Sequence, residues 1–380
     1  MERKILILLT GLAIILLILI TLIFLIRPCS EVGEQSKKVN TITMVTDIGG
    51  LGDKSFNDAG WNGVQMASKG LGLKANVIQK MEGEDLASNV SQAAETSDIV
   101  VGMGFMIKDA IITNAPLYPD TYFILIDENA GDQPNVASYL FYSGQSGYLA
   151  GIIAASVSET GKIAVVKGMD VPSVLSYVAG FKAGVRTWNE FKGEKIEVLT
   201  KTADTFTDPA KGRALTKSLI DEGADIIFDV AGATGIGVYE AVQESNRAQG
   251  ITEEEIKTGL KRPKYFAVGV DVDHDEMYPG EVLVSALKKM SETIYSAVDD
   301  ITKNDFRGGL HLVDFKDGFT GISDMKYTKQ YVPEETLELV EKAEGLMRNR
   351  DKRLLIPLDI TDVDKYVKNF EVPEELLKNN

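Results

Sequence analysis

From Asn40 onward the chain alternates short apolar runs with amphipathic stretches. The runs TITMV, ANVIQ, DIVVGMG, YFILID, VASYLF, KIAVVKG, KIEVLT, ADIIFDVAG, KYFAVGVD and EVLVSALK are each too short for a helix and rich in Val, Ile and aromatics, which predicts strands. Trp61 to Lys69 and Gly212 to Glu222 carry helical spacing between them. Near-continuous apolar strands alternating with helices predict parallel sheets covered on both faces, joined by right-handed crossovers. The rhythm restarts after Tyr142: SGQSGYLAGIIAASVSE reads as a small-residue helix suited to close packing, and KIAVVKG opens a second series. The expectation is an α/β protein of two doubly wound parallel-sheet lobes with a cleft between them, a common place for a small ligand.

Ahead of this body, Ile5 to Ile26 form an uninterrupted apolar stretch about as long as a helix needs to cross a bilayer. Arg3 and Lys4 precede it, which by the positive-inside rule leaves residues 1–4 in the cytoplasm and the body outside it. Arg27 and Pro28 follow at once, where a cleaved signal would show small residues. The run therefore reads as a transmembrane anchor or signal sequence over 5–26, and the polar stretch through Asn40 as a tether over 27–40. Cys29 is the only cysteine, which removes a disulfide framework and offers a lipidation site. Either route, helix or lipid, holds the body at the extracytoplasmic face of the cell membrane. The formal charge of −16 argues against nucleic acid as a partner.

The densest candidate chemistry lies in DIGGLGDKSFN, Asp47 to Asn57, directly after the first strand. Its glycines permit a tight turn, and Ser55, Phe56 and Asn57 offer a hydroxyl, a flat aromatic face and an amide. Asp47, Asp127 and Asp271 each end a strand. A single such aspartate often caps the next helix. Three at strand ends that share a cleft instead suit a neutral, donor-rich ligand such as a nucleoside or sugar. Phe206, in a turn between strand and helix, either packs in its own lobe or opposes Phe56 to sandwich a flat base. AGATGIG, which contains Gly232, reads as a tight strand-to-helix turn or as backbone amides facing a ligand. Its order is GxxGxG and it lacks a GK[ST] ending, so it predicts no phosphate cofactor. Lys288, which closes the last long strand, is either solvated, as lysines ordinarily are, or pairs with Asp271 and donates to a ligand hydroxyl.

No catalytic group and no cofactor are expected. Asp271, Asp273 and Asp275 begin like a calcium loop, but Glu276 stands where that loop needs Gly and Val282 where it needs Glu. His274 is one of two histidines, too few for a multi-histidine zinc site. An exported nucleoside hydrolase using the aspartates around Asp271 is the competing reading. That chemistry wants a metal or a poised base.

The motifs TDIGGLGDKSFND, FILIDE, SGQSGYLAG, FKAGV, AGATGIGV, VGVDVDH and VSALK, in this order, resemble those of the basic membrane protein family of ABC-transporter substrate-binding proteins, with its PnrA-type purine nucleoside receptors. The resemblance runs from about Thr41 to Pro357. It implies a type I periplasmic-binding fold joined by three hinge segments, with lobe 1 formed by 41–142 and 287–306 and lobe 2 by 143–286 and 307–357. It further implies ligand contacts at Asp47, Ser55, Phe56, Asn57, Asp127, Phe206, Gly232, Asp271 and Lys288. Phe56 and Phe206 would sandwich the base, Asn57 and Asp127 read its polar edge, and Asp271 and Lys288 hold the ribose. The implied partners are a purine nucleoside and an ABC permease; a sensory receptor of the same fold is an alternative. His274 departs from the family's usual Gln, and residues 358–380 extend beyond its usual end.

Overall fold

The computed structural model describes residues 38–80 and 85–378. The expected membrane helix over 5–26, Cys29 and nearly all of the tether lie outside them. Among the described residues no helix is long and apolar enough to cross a membrane.

The first sheet takes β1 (Thr41–Val45), β2 (Lys74–Ile78), β3 (Ile99–Met103), β4 (Tyr122–Ile126) and β5 (Val136–Phe141). The second takes β6 (Lys162–Lys167), β7 (Glu197–Thr202), β8 (Ile226–Val230), β9 (Phe266–Asp271) and β10 (Val282–Lys288). Two short strands absent from the sequence reading, β11 (Gly309–Val313) and β12 (Thr320–Ile322), complete them. The strand orders are β11-β5-β4-β3-β1-β2 and β12-β10-β9-β8-β6-β7. All pairings are parallel except β12, which runs antiparallel to β10. The second sheet is therefore mixed rather than wholly parallel, because a chain crossing back from the other lobe meets this edge from the opposite direction. β11 pairs with β5 in the first sheet, so residues 309–313 belong to the first lobe and not, as expected, with 307–357 in the second.

β3, β8 and β9 are buried along their whole length, as strands covered by helices on both faces must be. Apolar clusters line both faces of each sheet. The chain passes between the lobes three times, after β5, after β10 and between β11 and β12. The helix Ser143–Val157 braces two of these crossings. Ser146 Oγ donates to Leu287 O at 2.7 Å and accepts the Gly321 amide at 3.0 Å, while Gln145 Oε1 accepts the Phe315 amide at 2.9 Å.

This helix is almost entirely buried and lies against Pro172–Lys192 at backbone contact. An added Cβ at Gly180 would meet Gly144 O at 1.9 Å, and one at Gly184 would meet Tyr148 O at 2.0 Å. The small-residue pattern read from SGQSGYLAG thus serves helix packing. The extension past residue 357 is ordered on the same lobe. Ile360, Phe370 and Leu376 are buried in its core, and Phe370 lies 5.9 Å from the Tyr148 ring.

Candidate functional site

Parallel strands point their carboxyl ends the same way, so the loops after them converge on one crevice. In the first lobe those loops follow β1, β3 and β4; in the second they follow β6, β8 and β9. The cleft between them is lined by Asp47, Phe56, Asn57 and Asp127 from one side and by Phe206, Gly232, Asp271 and Lys288 from the other. Of the residues expected at the site, only Ser55 does not line it. Its Oγ reaches across the cleft and donates to Asp271 Oδ2 at 2.9 Å, which makes it a contact between lobes.

None of the three strand-end aspartates caps a helix by its side chain. Asp127 and Asp271 adopt left-handed backbone, with φ of 65° and 66°, a conformation aspartate tolerates better than most residues. Lys288 Nζ sits between them, 2.5 Å from Asp127 Oδ2 and 3.3 Å from Asp271 Oδ1. All three side chains are buried. Burial opposes the charge on Lys288, but the fields of Asp127 and Asp271 prevail and hold its pKa above the ordinary lysine value. The ammonium also lies 4.9 Å from the Phe56 ring centroid and 5.6 Å from that of Tyr177, within cation–π range. Tyr177 donates to Asp271 Oδ1 at 3.3 Å.

Phe56 opens the helix Phe56–Leu71, and its ring packs beside Gly104, where an added Cβ would meet it at 3.2 Å. Phe206 is half-buried over Gly168, whose missing Cβ would fall 2.2 Å from its ring. Its carbonyl accepts the Thr234 amide at 3.1 Å, tying its turn to the glycine segment. Gly232 there has a φ of 57°, which explains a glycine at that position. Phe206 thus packs in its lobe and faces the cleft at once.

Sequence reasoning missed Asp53 and Tyr177, both of which line the cleft. Asp53 had a signal, an acidic residue just ahead of a helix; Tyr177 lies in an ordinary apolar helix pattern with none. Asp53 accepts the amides of Ser55, Asn57 and Asp58 at 2.7–3.1 Å, and burial, opposed by these bonds, pushes its pKa up to about 6. His274 is buried, and its Nδ1 lies 2.9 Å from Val272 O. It stacks on Tyr239 at 4.9 Å and supports the loop after β9 from behind.

Behind Gly232, Asp229 is fully buried and accepts the Ala231 amide at 3.0 Å. Burial pushes its pKa up to about 8. The folded protein therefore keeps a proton there that the unfolded chain releases near pH 4, and stability falls as pH rises from about 4 to 8. Asp229→Asn removes this dependence. Its melting temperature should exceed the parent's by several degrees at about pH 8 and match it at about pH 4 in thermal denaturation.

Aromatic faces and carboxylates surround the cleft, and its lysine is paired with two of those carboxylates. Residues 40–345 match the family model described as Bmp, ABC transporter substrate-binding protein PnrA-like. The chain belongs to this family of ABC transporter substrate-binding proteins. An uncharacterized lipoprotein of Pyrococcus furiosus is 26% identical over 89% of this chain and 90% of its own. The ABC transporter nucleoside-binding protein BmpA of Lactococcus lactis is 28% identical over 73% and 80%. A crystal structure of an ABC transporter solute-binding protein from Aeropyrum pernix superposes with a TM-score of 0.75 at 26% identity, covering 89% of this chain and 97% of that one. A Bmp-family protein of this kind captures a ligand for a permease partner.

Proposed function

We propose that this Bmp-family protein captures a nucleoside, most directly a purine nucleoside, between its lobes and passes it to an ABC importer permease. The observation that carries the reading is the composition of the cleft: Phe56 and Phe206 approach it from opposite lobes, with Asn57, Asp127, Asp271 and Lys288 between. Two aromatic faces suit a flat base, and the Lys288–Asp271 pair suits vicinal ribose hydroxyls. The name of the Lactococcus relative, a nucleoside-binding protein, supports the same ligand class. The N-terminal segment, through residues 5–26 or a lipid on Cys29, would tether the receptor at the extracytoplasmic face, as the lipoprotein names of the Pyrococcus relatives favour. Tethering raises the receptor's concentration at its permease.

Capture of a mostly enclosed small ligand corresponds to a Kd of about 10⁻⁸–10⁻⁶ M. Guanosine, inosine or adenosine should raise the melting temperature, and chromatography should recover the nucleoside intact. Free base in the mixture would mean a hydrolase. Phe56→Ala should weaken nucleoside binding by roughly tenfold to a hundredfold, the loss of one stacked face, as read by titration calorimetry. An unchanged affinity would remove Phe56 from the site.

A further inference from the structure

We propose that Asp53 fixes the side chain of Asn57 so that the cleft reads its ligand through hydrogen-bond acceptors, selecting the 2-amino-6-oxopurine edge of guanine over adenine and hypoxanthine. The inference rests on the nucleoside-receptor reading and adds to it a positioning residue and a preferred base.

Asn57 Nδ2 carries two hydrogens, and both are engaged: it donates to Asp47 Oδ1 at 2.9 Å and to Asp53 Oδ2 at 3.1 Å. The reverse orientation of the amide would set its oxygen against two carboxylates, so the two acids determine which way it faces. What remains is Asn57 Oδ1, which is buried and has no hydrogen-bond partner among the described residues. A buried acceptor left unmade is costly, and this one belongs to a residue lining the cleft. Asp53 is held firmly enough to impose the orientation, because three backbone amides at the start of the Phe56–Leu71 helix also bind its carboxylate.

The neighbouring groups have the same polarity. Asp47 Oδ1 takes the Asn57 amide and the Gly49 N–H at 2.8 Å, while Asp47 Oδ2 lies toward Gly104 beside the Phe56 ring. Asp127 binds Lys288 through Oδ2. Two of the three hydrogens on Lys288 are directed at Asp127 and Asp271, leaving the third for the ribose, and the Tyr177 hydroxyl donates to Asp271. Ser173 adds one hydroxyl that can donate or accept. Such an edge needs a ligand that supplies hydrogens. Guanine offers N1–H and the 2-amino group side by side; hypoxanthine lacks the amino group. Adenine sets an accepting N1 beside its amino group, and that lone pair would face an oxygen. Sites built around specific hydrogen bonds reject analogues lacking the partner strongly.

The test is titration of the full-length protein with guanosine, inosine and adenosine at about pH 8, above the value of about 6 to which burial pushes Asp53. Guanosine is expected to bind at least about tenfold more tightly than either of the others. In Asp53→Asn the charged acceptor that shares the Asn57 Nδ2 with Asp47 is lost, and the new amide cannot accept all the N–H groups that Asp53 holds, so Asn57 is no longer fixed with its oxygen toward the ligand. The guanosine-to-adenosine affinity ratio is expected to fall about tenfold or more, whereas a purely structural role would weaken both nucleosides by one factor. Asn57→Ala keeps Asp53 and should likewise abolish most of guanosine's advantage, which preserves the test if Asp53→Asn fails to fold. Adenosine or inosine binding as tightly as guanosine overturns the inference and leaves the receptor reading in place. No binding by any of the three overturns the receptor reading and the inference with it.

Discussion

Gly180→Ala is expected to cost more than about 4 kcal/mol of stability, enough to leave the second lobe largely unfolded. The single added methyl would sit 1.9 Å from the carbonyl oxygen of Gly144. A backbone carbonyl inside a helix cannot rotate away as the end of a side chain can. The two helices must separate instead, and they are joined at more than this point: an added Cβ at Gly151 would meet Phe181 O at 2.1 Å, and one at Gly147 would meet Tyr177 O at 2.4 Å. Separation loosens close-packed contacts along the whole seam. It also moves Ser146, which holds the hinge crossings at Leu287 and Gly321, and Tyr177, which binds Asp271. Gly345→Ala is the control, since among the described residues nothing lies within 4 Å of its added Cβ. In the helix Glu334–Arg348 it should stabilise by roughly 0.5–1 kcal/mol. Urea denaturation separates the two; a loss below about 1 kcal/mol for Gly180→Ala would mean that the seam is far more pliable than its geometry implies.

Lys288→Met is expected to lower stability by about 3–5 kcal/mol near pH 7, because it strands two buried carboxylates while keeping most of the side-chain volume. Asp271 retains hydrogen bonds from Ser55 and Tyr177; Asp127 loses the partner of its Oδ2. Without the ammonium, nothing from Lys288 offsets the burial that already raises the pKa of Asp127, so that acid ionises less readily in the folded protein than in the unfolded chain. Stability of the variant should therefore fall as pH rises through the ordinary carboxylate range, and the deficit should shrink toward about pH 4. Adding Asp127→Asn should recover part of the loss. Since Lys288 is the charge between the lobes, nucleoside affinity should fall with it. Chemical denaturation at two pH values checks the sign, and a deficit that does not change with pH would assign the effect to packing alone.

Much of this was readable in the residues. Ten apolar runs identified ten strands: inner parallel strands such as β3, β8 and β9 are buried on both faces and so apolar throughout, while the edge strands β2 and β7 kept enough Val, Ile and Leu to be seen. β11 and β12 escaped for physical reasons: GLHLV is an edge strand with Leu310 and Leu312 partly exposed, and TGI is too short to show a period. Their position, and with it the lobe to which 309–313 belongs, depends on how the chain crosses the hinge, which no local pattern encodes. At the site, Asp47, Asp127 and Asp271 were visible as polar residues that follow or end apolar strands, and Ser55, Phe56 and Asn57 as a polar and aromatic cluster in the loop after β1. Tyr177 was hidden in a core helix. Ser55 was visible as a polar group, but its role across the cleft depends on the distance between lobes. The orientation of Asn57 depends on which atoms Asp47 and Asp53 occupy around it, and spacing does not reveal that.

The most direct measurement is a crystal structure of the full-length protein incubated with guanosine. The account predicts an intact nucleoside in the cleft, its base between the Phe56 and Phe206 rings and its ribose hydroxyls at Asp271 and Lys288. An empty cleft at saturating guanosine, a nucleoside bound elsewhere on the surface, or a cleaved base and ribose would contradict it.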